Sequence, residues 1–198
     1  KLKKEHADFY KIFNQLREIT KKNVIPLTIP IGEALEFSAV VDIIKNKGFG
    51  PEGKEIELPT DIKEKVKPYQ ENLIEAAADV DESLMNKYLE GAKIEPSEYL
   101  QALKRGIAES KIAVCLAGDA LDLIGVKNLI DIVMEYLPPA NMLPDIEIGE
   151  QKIKRADDAP FLGYVFKTVV EPHLGELCYL RVLSGKIQPG NVVKNLSK

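Results

Sequence analysis

Few residues in this chain have both the type and the spacing to do chemistry. Gly48-Phe49-Gly50-Pro51-Glu52-Gly53-Lys54 fits both G-x-G-x-x-G and G-x-x-x-x-G-K, the spacings of loops that cradle phosphates. Such a loop needs a helix after it, whose first amides face the anion. Here Glu55 stands where a Ser or Thr hydroxyl would hold Mg²⁺, and a carboxylate there repels phosphate. Ile56-Glu57-Leu58-Pro59 then alternates like a strand and breaks. The run reads as a hairpin connection, where Gly and Pro serve backbone turns.

Cys115 and Cys178 each lie in an apolar, strand-like run, so they read as two buried structural thiols in a reducing compartment. His6 and His173 have no Cys or carboxylate at ligand spacing, which argues against a zinc site or a Cys/His nucleophile pair. Glu75, Asp79, Asp81 and Glu82 cluster near a helix junction and read as caps and a solvated face. No G-x-S-x-G, H-E-x-x-H or EF-hand loop occurs. The residues therefore nominate no catalytic set and no metal site.

The elements that would carry these residues alternate between helix and strand. Residues 4–23 have Phe9, Ile12, Phe13, Leu16 and Ile19 at helical spacing. Residues 24–31 are apolar but broken by prolines, which suits a strand running out at an edge. Residues 37–45 are rich in β-branched side chains, and 55–58 alternates as a partner strand across a Gly/Pro turn. A helix is expected over 61–78, with Asp61 and Glu64 spaced as a capping box and Pro68 as a kink. Asp81 caps a second helix that Gly91 ends, and Pro96 opens a third that runs to about 110. Residues 111–116 read as a buried strand. Residues 126–137 read as a helix with Val126, Leu129, Ile130, Val133 and Tyr136 or Leu137 on its buried face. After Pro138-Pro139 the chain is polar to about 158, a linker. Runs at 161–170, 174–183 and 191–196 then suggest three antiparallel strands, the start of a small β-barrel.

The 198 residues carry 27 Lys and Arg against 31 Asp and Glu, a net charge of −4. Hydrophobic residues make up 45% and charged residues 29%, the balance of a soluble globular chain with enough length for a sizeable core. The mild acidity argues against a general basic clamp on nucleic acid and against DNA as a partner. No apolar run approaches the ~20 residues of a membrane span, and no signal-peptide pattern opens the chain. The first residue is Lys, so the chain is expected to be part of something longer.

A more specific pattern lies in the second half. Gly118-Asp119-Ala120-Leu121, Gly125-Val126-Lys127-Asn128-Leu129-Ile130-Asp131 and Tyr136-Leu137-Pro138-Pro139 resemble the end of the GTPase domain of bacterial elongation factor G. That family has a buried strand, a G-S-A loop and a helix running to a Y-L-P-S-P linker. Pro160-Phe161 to Phe166-Lys167, Pro172-His173-Leu174-Gly175-Glu176-Leu177 and Arg181-Val182-Leu183-Ser184-Gly185 resemble the start of its domain II. Leu27-Thr28-Ile29-Pro30-Ile31-Gly32, Phe37-Ser38-Ala39-Val40-Val41-Asp42 and Tyr88-Leu89-Glu90-Gly91 resemble the subdomain inserted in its GTPase domain. Lys1-Leu2-Lys3 aligns with the last three residues of its N-K-x-D guanine-recognition motif.

The resemblance covers essentially the whole chain. It implies an α/β fold: the C-terminal part of a P-loop GTPase domain over 1–139 with an α+β insert at about 32–110. A linker at 140–158 and the first strands of an antiparallel β-barrel at 159–198 would follow. Lys1, Ala120 and Leu121 would then face guanine. Lys3 stands where an Asp accepts hydrogen bonds from guanine N1 and N2, and Asp119 stands in the Ser position of the loop. Lys has donors only and cannot replace that acceptor.

By the same resemblance the cofactors are GTP or GDP with Mg²⁺, whose phosphate loop, switch regions and metal ligands would lie upstream. This stretch alone is then expected neither to bind GTP tightly nor to hydrolyse it. The implied partners are the ribosome, with small-subunit RNA met by domain II through Lys167 and Arg181, and the stalk protein met by the insert. The compartment is the cytoplasm. The implied activity is GTP hydrolysis coupled to translocation. The alternative is a non-catalytic elongation factor G-like paralogue or fragment that only binds ribosome or stalk protein. A chance match in an unrelated α/β protein would leave Lys1 far from the loop at 118–121.

Overall fold

The computed structural model describes residues 2–20, 22–139 and 143–196. The fold is mixed α/β, and the chain divides into two compact units that meet in sequence between Leu137 and Pro138.

The first unit opens with helix α1 (Phe9–Thr20), shorter than the 4–23 its periodicity suggests. Phe9 and Phe13 are one turn apart, so both reach the core and their rings stack at 6.1 Å. Strand β1 (Asn23–Pro26) follows. Leu27 then carries the chain from one sheet into another, and strand β2 (Thr28–Ile31) begins. β2 is an edge strand, which is why Pro30 can sit within it without breaking a ladder.

Strand β3 (Ala39–Asp42) pairs antiparallel with β2 and is buried along its length. The sequence suggests that 55–58 is the next strand, but strand β4 (Lys47–Phe49) intervenes. Gly48 lies inside β4 because Ile56 packs so closely that a Cβ there would come within 2.7 Å of its Cγ1. Strand β5 (Glu55–Ile56) pairs with β4 across a short turn at Pro51–Gly53. The glycine-rich run is thus a hairpin, and the next helix begins only at Thr60.

Helix α2 (Thr60–Ala78) starts one residue early, so Asp61 lies in its first turn and the expected capping box with Glu64 does not form. The carboxylate still favours the positive end of the helix. The helix also runs through Pro68 without ending. Pro68 and Glu64 both lie on the exposed side, where water can take the carbonyl that proline leaves unpaired.

Helix α3 (Glu82–Leu89) is capped by Asp81 and ends before Gly91, whose φ of +66° few other residues adopt. Helix α4 (Pro96–Ala108) opens with a reciprocal capping box between Glu95 and Glu98. Val66 and Leu103, each 0% exposed, lie in the core beside Leu73 and Ala76. Burial of such side chains contributes about 1.5–3 kcal/mol each.

Strand β6 (Ile112–Cys115) pairs parallel with β1, from Asn23 opposite Ile112 to Pro26 opposite Cys115. Gly106 lets α4 approach this strand, since a Cβ there would meet Ile112 Cδ1 at 2.6 Å. Only Ile112 of β6 is fully buried, so the expected fully buried strand is half-buried over most of its length. Helix α5 (Val126–Tyr136) buries Asn128, Ile132 and Tyr136, and leaves Leu129, Ile130 and Val133 about half exposed. The helix is amphipathic, with Lys127, Asn128, Asp131 and Glu135 on one side, but the stripe it buries is turned toward Asn128, so part of its apolar face is left uncovered.

The second unit begins in what reads as linker. It holds a short antiparallel hairpin, strands β7 (Ile146–Ile148) and β8 (Gln151–Ile153), turning at Gly149 with φ +59°. Strands β9 (Leu162–Glu171) and β10 (Gly175–Ser184) form a long antiparallel pair with register shifts after Tyr179 and after Val182. The run at 191–196 forms no strand, and the described residues close no barrel. Cys178, expected to be buried, lies exposed on β10, because an isolated pair of strands has no covered face.

Candidate functional site

The loop after β6 is closed by the backbone. Asp119 and Ile124 exchange N–H···O bonds, each at 2.9 Å, across a narrow neck. Gly118 and Gly125 form its base. A Cβ on Gly118 would press on Ile124 O at 3.0 Å. One on Gly125, whose φ is +73°, would meet Ala117 O at 2.5 Å. The other side is fixed by Thr28, whose Oγ1 accepts from the Ala117 amide at 2.8 Å.

The residues preceding α1 meet this loop. The Lys3 ammonium pairs with the Asp122 carboxylate, 119 positions away in sequence, and both side chains are about two-fifths exposed. The Asp119 carboxylate turns inward and is 4% exposed as a residue. Its Oδ1 accepts from the Leu121 amide at 2.9 Å. That bond, with the backbone amides of Lys3 and Asp122, holds the carboxyl below the ordinary carboxylate range. The Asp119 side chain therefore serves as an internal clasp that ties the start of the chain to the loop.

Ala120 and Leu121 form the exposed tip, and the Ala120 amide donates to nothing among the described residues. Lys1, the remaining residue that the resemblance assigns to the base, lies outside the described residues. Lys3, Asp119, Ala120 and Leu121 are brought together. Sequence reasoning overlooked Asp122, the partner of Lys3. Its signal was available: an acid three residues beyond Asp119, in the loop aligned opposite a misplaced Lys.

Tested against guanine, this group does not fit. At the position that should accept from N1 and N2, Lys3 offers donors, and the acceptor beside it, Asp119, is already saturated by backbone amides. Among the described residues no three His, Cys, Asp or Glu side chains are grouped to hold a metal ion.

A second polar group lies wholly inside the first unit. Asp42 is 3% exposed, and burial pushes its carboxyl above the ordinary range against the pull of the Lys45 amide and ammonium. Its Oδ1 accepts from the Lys45 amide at 2.9 Å, and Asn128 Nδ2 donates to Oδ2 at 3.4 Å. Asn128 Oδ1 is buried with no partner among the described residues.

In the second unit, Lys167 faces Tyr179 across the β9–β10 ladder, and its ammonium lies 5.9 Å from the ring centre. Tyr164 faces Arg181 two residues further along β10. Alternation along β10 puts Tyr179 and Arg181 on one face. Two exposed cations and two exposed tyrosines thus share one side of the hairpin.

These elements define a mixed α/β protein with a polar loop clasp, and no helix of the described residues is long and apolar enough to cross a membrane. No family model matches the chain. It is similar to a solved protein of unstated function from Thermus thermophilus, with 27% identity over 94% of this chain and a TM-score of 0.72. This chain spans 27% of the length of that one.

Proposed function

We propose that this chain is part of a ribosome-associated translational GTPase resembling elongation factor G, working in the cytoplasm. The observation that carries the reading is the meeting of Lys3 with the 118–122 loop. The resemblance requires the guanine-recognition segment and the G-S-A-like loop to lie together, although 119 positions separate Lys3 from Asp122. A chance match gives no reason for that contact.

Other features support the same reading. Parallel strands β1 and β6 with α1 and α5 correspond to the end of a GTPase sheet. Strands β2–β5 with α2–α4 correspond to the insert, whose proposed partner is the ribosomal stalk protein. GTP and Mg²⁺ belong to the proposal through the parent family, and no step is derived through them from these residues. Lys167 and Arg181, with Tyr179 and Tyr164 between them, suit small-subunit RNA, where cations meet phosphates and rings stack on bases.

The test is co-sedimentation of the chain with small ribosomal subunits at graded salt. Lys167→Gln with Arg181→Gln is expected to weaken pelleting and to flatten its salt dependence by roughly one to two phosphate contacts. Unchanged pelleting would remove the assignment of this face. A second reading, a module that binds without catalysis, draws on Lys3, whose charge is that of the wrong partner for guanine. Ribosome-stimulated GTP hydrolysis by the full-length protein, or its absence while pelleting persists, separates the two.

A further inference from the structure

A cavity of about 140 Å³ lies in the first unit, where α1, β2 and the first half of α2 meet. We propose that it binds a small zwitterion with a hydrocarbon body, an aliphatic α-amino acid of about the size of valine.

The walls are of two kinds. Ile29 and Pro30 of β2 and Ile62 of α2 supply carbon, and Lys65 stands one turn beyond Ile62 on the same side of the helix. Tyr10 of α1 and Glu33, in the turn after β2, complete the polar part. That turn is fixed by its own backbone. The Glu36 amide donates to Glu33 O at 2.9 Å, and the Ser38 amide to Ile31 O at 3.1 Å. Ala34 keeps φ at +47°, a conformation costly for a residue other than glycine and recurrent at ligand clamps. The rim thus holds its shape before a ligand arrives, which lowers the ordering cost of binding.

The Tyr10 hydroxyl, the Glu33 carboxylate and the Lys65 ammonium have no hydrogen-bond or ion-pair partner among the described residues. Elsewhere in the unit such charges pair, as Lys47 does with Glu55 and Lys87 with Glu98. Burial, then Tyr69, Glu33 and Asp8, push the Tyr10 phenol up to about 12. It stays protonated at neutral pH and can both donate and accept. Asp8 and Glu33 also line a smaller pocket that adjoins on the α1 side, which Lys65 does not reach. Negative charge therefore gathers at the α1 end and positive charge at the α2 end, with carbon between them.

A ligand that satisfies both ends carries a cation toward Glu33, an anion toward Lys65 and hydrocarbon against Ile29, Pro30 and Ile62. An α-amino acid has those groups in that arrangement. A simple amine leaves Lys65 without an anion, and a simple carboxylic acid faces Glu33 with like charge. A cavity of roughly 150 Å³ takes up benzene, so this one suits a body of valine's size, with its charged groups at the mouth.

The experiment titrates the ¹⁵N-labelled chain with valine, N-acetylvaline, valinamide and phenylalanine. It follows the Tyr10, Gly32 and Glu33 amide resonances, with Glu176 of the second unit as control. Valine is expected to bind saturably. N-acetylvaline and valinamide each lose one charge at a partly exposed site and should bind roughly five- to tenfold more weakly. Phenylalanine exceeds the volume and should be weaker as well. Glu33→Gln and Lys65→Gln change exposed side chains and leave the carbon walls in place. The first should weaken valine and valinamide by that factor and spare N-acetylvaline. The second should weaken valine and N-acetylvaline and spare valinamide. Equal binding of valine and its two derivatives, or a variant that leaves valine unaffected, overturns the zwitterion assignment. Phenylalanine binding as tightly as valine overturns the assignment by size. Resonances that stay in place, or move without approaching saturation, overturn the site itself.

Discussion

Asp81 joins α3 and α4 at one carboxylate, and its removal has a magnitude that can be worked out. Its Oδ1 accepts from the Ser83 amide at 3.0 Å, the Leu84 amide at 3.1 Å and the Ser83 hydroxyl at 2.6 Å. Its Oδ2 takes Arg105 Nη2 at 2.7 Å, while the same nitrogen reaches Val80 O at 2.8 Å. Losing an N-cap costs about 1 kcal/mol, and a partly exposed ion pair adds at most about 1 more after solvent screening. Asp81→Ala should therefore cost about 2 kcal/mol, or roughly 4–8 °C in Tm for a chain of this size. Asp81→Asn keeps an acceptor for the helix amides and loses only the charge, so it should cost less than about 1 kcal/mol. The acid side gives an independent check. The Ser83 hydroxyl bond and then Arg105 hold the Asp81 carboxyl below its ordinary 3.8. A carboxyl lowered on folding stabilises at pH above its unfolded value, and that contribution is lost as pH falls through the folded one. The Tm gap between the unaltered chain and Asp81→Asn should thus close on acidification below about pH 4, followed by circular dichroism. An Asn variant as damaged as the Ala variant, or a gap that ignores pH, would refute this account of the junction.

Three further outcomes follow from the same geometry. Burial raises the Asp42 carboxyl, so its ionisation weakens the fold as pH rises through that raised value; Asp42→Asn should gain Tm relative to the unaltered chain over the same rise, and a pH-independent difference would count against it. Gly106→Val drives a side chain into Ile112, with the first added carbon already 2.6 Å from its Cδ1, and should cost about 1–3 kcal/mol by chemical denaturation. With a thiol-specific disulfide reagent, Cys178 should react first, while Cys115, half-buried with its thiol pushed up by burial, should lag until the chain unfolds; mass mapping of the two sites checks the order.

The legible elements were those whose local chemistry and burial agree. Asp81 and Gly91 bracket α3 and Pro96 opens α4, because caps act within one turn and need no distant partner. The buried face of α5 was not legible. Leu129, Ile130 and Val133 are as apolar as Ile132, and the choice of Asn128, Ile132 and Tyr136 is set by neighbours such as Asp42, 86 positions from Asn128. β4 was hidden for a related reason. Gly48 is a poor strand former, and its place between β3 and β5 follows from the narrow gap to Ile56 rather than from propensity. The hairpin at 146–153 carries Ile146, Ile148 and Ile153 around Gly149, but each of its strands is only three residues long, too short for alternation to stand out from a linker.

The loop at 118–125 was legible in a different sense, since it was found through its departures. A Lys and an Asp at positions that a resemblance assigns to an Asp and a Ser look, taken singly, like two losses. In three dimensions they are coupled through a third residue. Asp122 neutralises Lys3, while the Lys3 amide helps to neutralise Asp119. Uncompensated, the buried Asp119 would carry a desolvation cost. The three residues therefore act as a set, and single substitutions cannot report on them: Lys3→Asp alone brings a third carboxylate against Asp119 and Asp122. The exchange of charge between positions 3 and 122 keeps the ion pair while reversing its polarity, and so separates the charge at each position from the stability of the loop.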